Sequence, residues 1–143
     1  MKLRNALLSA LLAVPAAVFA ASAPDYLLVN RSSEALMDDA TAKALFDEIV
    51  SEKLGKLYPP NQWGFASQVE GGLTAANTCV VAARVMLLPR NQPNATKLLL
   101  FKPGKMATAF DALPNATSAQ CKDLAKKKLR EAYQGMSAAL VPG

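Results

Sequence analysis

The sequence predicts an α+β domain with an N-terminal helix, a four-stranded antiparallel meander and a C-terminal helix, both helices packed on one face of the sheet. Three observations carry this expectation. Residues 78–89 form the longest run of small, branched and apolar side chains after the N-terminal segment, and read as a central strand. Apolar residues recur at three and four over 38–57 and again from 121 to 136, the period of a helix with one buried stripe. The only two cysteines, Cys79 and Cys121, open the central strand and the last helix, so one bond would staple sheet to helix.

Residues 1–5 carry Lys2 and Arg4, and residues 6–19 are apolar apart from Ser9 and are broken by Pro15. This is the layout of a secretory signal peptide. The run falls short of the roughly 20 apolar residues that a spanning helix needs. Cleavage is expected after Ala20, with no cysteine nearby to take a lipid. Residues 21–143 would then form a single exported domain, periplasmic or secreted. In such a compartment Cys79 and Cys121 are expected to pair, and the closed loop is worth roughly 4 kcal/mol in the chain-entropy account.

The elements follow in order. Residues 25–29 form a short apolar stretch, either a peripheral strand or a lead-in. Over 38–57 the stripe is Ala42, Leu45, Phe46, Ile49, Val50, Leu54 and Leu57, capped by Asp38 or Ser33 and stopped by Tyr58-Pro59-Pro60. Residues 63–70 alternate, Trp63, Phe65 and Val69 against Gly64, Ala66, Gln68 and Glu70, and Gly71-Gly72 is expected to end that strand. In the central strand Cys79, Val81, Ala83, Val85 and Leu87 share one face. Val80, Ala82, Arg84, Met86 and Leu88 share the other, which is apolar apart from Arg84, so both faces are expected to be covered over most of their length. Residues 97–101 read as a third strand, Pro103-Gly104 as a type II turn and 106–110 as the fourth strand. Thr117 and Gln120 have capping-box spacing at the start of the last helix, and Gly135 lies near its expected stop.

Charge is unevenly distributed. Residues 21–76 hold eight acids and four bases, and residues 77–143 hold three acids and ten bases. Packing of the two halves against each other would neutralise part of this. A basic face meeting an anionic partner is the other reading.

There is no histidine in the chain. That removes Ser-His-Asp and Cys-His catalysis and the imidazole zinc site, and a disulfide leaves no thiolate ligand. No metal or cofactor is expected. Carboxylates are the remaining catalytic resource: Asp47, Glu48 and Glu52 on the wet face of the first helix, and Glu70 and Asp111 at strand ends. Arg84, a cation amid apolar neighbours, must reach a carboxylate, an edge or a ligand. Tyr58, Trp63 and Arg84 are the candidate interface residues. Lys122, Lys126, Lys127 and Arg130 are the candidate anion-binding residues. Asn30, Asn94 and Asn115 open glycosylation sequons and read as turn and cap residues.

The function expected from these exclusions is non-enzymatic binding of another exported or envelope protein, as an inhibitor, immunity or adaptor factor. One alternative is binding of anionic lipid or glycan through the basic helix. A second is a carboxylate-based hydrolase acting through Glu70. Nucleic acid is not an expected partner, because basic and aromatic residues are not interleaved.

Overall fold

The computed structural model describes residues 22–143, so the expected signal peptide lies outside the described residues. The order is β1 (Leu27–Asn30), α1 (Asp39–Asp47), α2 (Glu52–Leu57), β2 (Trp63–Leu73), β3 (Cys79–Pro89), β4 (Lys105–Leu113) and α3 (Ser118–Leu140). The α+β class and the C-terminal helix are as expected. The first described element, however, is a strand and not a helix, and the four-stranded sheet is mixed. Its order is β1-β2-β3-β4, with β1 parallel to β2 and the other pairs antiparallel. Parallel pairing needs a crossover, and α1 and α2 supply it.

The single helix expected over 38–57 is two. Asp38 caps α1, accepting the Thr41 N–H at 2.8 Å, and Ser51 caps α2, accepting the Leu54 N–H at 3.1 Å. A serine hydroxyl that can bind backbone N–H groups competes with continued helix. The break lets Ile49 and Val50 turn onto the core beside Phe46 and Leu54.

The run at 97–101 is not a strand. It touches the sheet through one bridge, Leu98 to Arg90, and otherwise forms a loop. Its apolar content is used differently: a Cβ on Gly64 would lie 2.6 Å from Leu98 Cδ2, so the leucine plugs the notch that Gly64 leaves. Gly104 has no positive φ, so the expected type II turn is absent; its small size admits the Trp63 ring instead. Gly71 and Gly72 do not end β2. They carry it onward at φ 115° and 141°, and a Cβ on Gly71 would fall 1.9 Å from the Val80 carbonyl oxygen. Nor does Gly135 end α3, which runs on to bury Met136 and Leu140.

The core lies between the sheet and the helices. Phe65 on β2 packs on Tyr26, on Phe46 of α1 and, through Phe46, on Tyr133 of α3, with ring centroids 4.9–6.0 Å apart. Val69, Val81, Val85, Leu87 and Leu129 fill the remainder. The Cys79–Cys121 disulfide joins the start of β3 to the first turn of α3, its cysteines 42 positions apart. There the capping box is complete: Thr117 Oγ1 accepts the Gln120 N–H and Gln120 Oε1 accepts the Thr117 N–H.

Candidate functional site

The pleat sends odd-numbered residues of β2, β3 and β4 towards the helices and even-numbered ones away from them. The outward rows follow from the register: Ala66–Met86–Met106, Gln68–Arg84–Thr108, Glu70–Ala82–Phe110 and Gly72–Val80–Ala112. At the Trp63 end the 90–104 loop and Leu98 fold over this face. Beyond Met86 it is bare. Phe110 is 81% exposed, Met106 50% and Val80 46%. The expectation that both faces of β3 are covered is therefore wrong for its outward face. The helices cover only one side of this sheet, and no other described element reaches the far rows.

Ala82 supplies the reason for a depression there. Its methyl group sits between Glu70 and Phe110, and the taller neighbours enclose a cavity of about 240 Å³ lined by Gln68, Glu70, Ala82, Arg84, Thr108 and Phe110. Arg84 lies across the strands from the Gln68 amide and the Thr108 hydroxyl, and it forms no ion pair among the described residues. Glu70 accepts a hydrogen bond from the Gln68 amide. The site thus offers a guanidinium free to grip a carboxylate or carbonyl, a hydroxyl, one anchored carboxylate and an aromatic wall. Asp111, the other strand-end acid, is on the helix side of β4, so Glu70 and Asp111 cannot flank one bond.

The three interface candidates are not brought together. Tyr58 and Trp63 stack edge to face, centroids 5.9 Å apart, half-buried against the core at the other end of β2. The Tyr58 carbonyl accepts the Tyr26 hydroxyl at 2.7 Å. Trp63 belongs to the opposite pleat from Arg84.

The four candidate anion-binding residues divide between two flanks of α3. Arg130 forks onto Glu48 at 2.8 and 2.9 Å, which holds that carboxyl below its ordinary range. Lys126, on the same flank, lies near Asp38, whose own lowering comes first from the Thr41 N–H. Lys127 faces the other way, beside Asp111, and Lys122 borders a groove with Leu36 and Gly71. Acids of the first half therefore sit beside the basic helix, as the packing reading of the charge asymmetry expects.

Lys128, at the edge of the apolar stripe of α3, is buried. Its Nζ is 2.7 Å from Glu131 and 3.4 Å from Asp111, which raises its pKa, Glu131 contributing most. The Ala112 N–H, then Lys128, hold the Asp111 carboxyl low. Tyr133 brings a second buried polar group: its hydroxyl lies beside Ser67 without a partner at hydrogen-bond distance, and burial pushes the phenol up to about 12.

Phe110, Met106, Val80 and Thr108 were not among the sequence candidates. The signal for them was the alternation of 106, 108, 110 and 112 in register with Val80, Ala82 and Arg84. It can be read only once β4 is known to lie beside β3. Among the described residues no cluster of His, Cys, Asp and Glu could hold a metal ion, and no helix is long and apolar enough to cross a membrane. The disulfide accords with an oxidising, extracytoplasmic setting. No protein-family model matches the chain, and a search of curated proteins finds no match.

Proposed function

We propose that this is an exported, non-enzymatic binding protein that engages another protein as an inhibitor, immunity or adaptor factor, through the open face of β2, β3 and β4. The observation that carries the reading is Phe110, 81% exposed on the same sheet face as Met106, Val80 and Arg84, the last without an ion-pair partner among the described residues. Aromatic residues, Met and Arg are the types enriched at the energetic centres of protein interfaces. A patch centred on them binds through apolar burial with Arg84 setting orientation, so affinity depends weakly on salt.

The test is retention of an envelope protein by the immobilised, oxidised protein at low and high salt, repeated with Phe110→Glu and with Lys126→Glu/Lys127→Glu. The reading expects one partner held at both salts, lost with Phe110→Glu and kept with the lysine double variant. Retention only at low salt, insensitive to Phe110→Glu and lost with the lysine variant, would transfer the function to the basic helix and to anionic lipid or glycan.

A further inference from the structure

β4 is the outer strand of the sheet, and its second edge has no partner among the described residues. It pairs with β3 in one unbroken register from Lys105 to Leu113, so no bulge twists the edge away. It has no proline, and no charge between Met106 and Phe110. These are the devices by which natural edge strands avoid pairing, and the centre of β4 lacks them. The other edge, β1, has only four residues.

The sequence of β4 is complementary to itself when reversed about Thr108. In an antiparallel pair with a two-fold axis there, Thr108 meets Thr108, Ala107 meets Ala109, Met106 meets Phe110 and Lys105 meets Asp111 of the second copy. Threonine pairs, opposite charges and aromatic contacts are the cross-strand combinations that stabilise sheets, at about 0.2–1 kcal/mol each, and a Met sulfur against a ring adds a favourable contact. Moving the axis to Ala107 or Ala109 keeps the faces matched but sets Lys105 opposite Ala109 or Leu113 and loses the charge pair. Among the described residues Lys105 forms no ion pair, and the Asp111 side chain remains half exposed beside Lys128. On the helix side, Gly135 of α3 lies over Ala107 with its Cβ position 3.9 Å from that methyl, so no long side chain stands above the strand there.

We propose that two copies join through their β4 edges about a two-fold axis at Thr108, forming one continuous sheet with both open faces on the same side. The contact is isologous. An edge of nine residues lies at the small end of interface sizes, so the dimer is concentration-dependent. It presents two Arg84–Phe110 cavities to a partner in fixed relation.

The test combines sedimentation of the oxidised protein over a wide concentration range with cysteine cross-linking. Apparent mass should double with concentration, and Lys105→Glu, which opposes like charges twice by symmetry, should weaken association at least about tenfold. Lys105 does not line the cavity, so this variant separates the dimer from partner binding. Directly opposed residues in an antiparallel pair have Cα atoms about 4.5–5.5 Å apart, within disulfide reach. Thr108→Cys should therefore cross-link to itself, whereas Met106→Cys and Phe110→Cys should cross-link to each other but not to themselves. A monomer at every concentration, or Met106→Cys self-linking as fast as Thr108→Cys, would overturn the proposal.

Discussion

Reducing the Cys79–Cys121 disulfide is expected to remove much of the protein's stability. The two cysteines are 42 positions apart, and the ring they close contains β3, the long 90–104 connection and β4. Freeing a loop of that length returns roughly 4 kcal/mol of entropy to the unfolded chain, against about 5–15 kcal/mol of total stability for a domain. Both sulfurs are buried, so Cys79→Ala/Cys121→Ala also leaves small voids and should lose more than reduction alone. The assay is urea unfolding followed by circular dichroism for oxidised, reduced and double-alanine protein at one pH. With a slope of about 1.5 kcal/mol/M, reduction should lower the midpoint by about 3 M. A shift below about 1 M would refute the loop argument and mean that β3 and α3 stay associated in the unfolded ensemble.

Gly71→Ala should destabilise by at least about 2 kcal/mol, because the new methyl meets the Val80 carbonyl, whereas Gly72→Ala, strained only by its φ, should lose about 1 kcal/mol; chemical denaturation giving the reverse order would contradict the placement of the two residues. Tyr133→Phe should be neutral or stabilise by up to about 1 kcal/mol, since it deletes a buried hydroxyl without a partner, and a clear loss of stability would reveal one. Burial raises the folded pKa of Tyr133 from 10.0 to about 12, so its contribution is intact below pH 10 and is lost as pH rises towards 12. The loss is about 3 kcal/mol, is visible as a falling urea midpoint, and should shrink in Tyr133→Phe, with the raised Tyr26 accounting for a residual slope. Asn115 has a φ of 54°, so Asn115→Ala should lower the melting temperature more than Asn115→Gly does.

Local signals were legible where one periodicity and one environment coincide. The long apolar run of β3, the stripe of α3 and the Thr117–Gln120 box each marked one element, and the two cysteines formed the expected bond. Asn94 and Asn115, expected as turn residues, both adopt positive φ. What failed depended on distant partners. The run at 97–101 has strand composition, but flanking prolines and the notch at Gly64 make it a cover for the sheet. The parallel pairing of β1 is set by the α1–α2 crossover, and a stripe continuing through 48–51 does not reveal that Ser51 restarts the helix. Arg84 was visible as an anomaly, but periodicity alone does not tell which face of β3 the helices choose, and the bare face follows from that choice.

The 90–104 connection, with Phe101 84% exposed at its turn, lies inside the covalent ring. A protease that cuts there opens the backbone but separates nothing: the fragments stay joined through sulfur and through the β3–β4 ladder. Such a molecule would migrate as one species without reductant and as two with it. If the partner is itself a proteolytic enzyme, this loop can be clipped while Arg84 on β3 and Phe110 on β4, from either side of the scission, still face the same cavity.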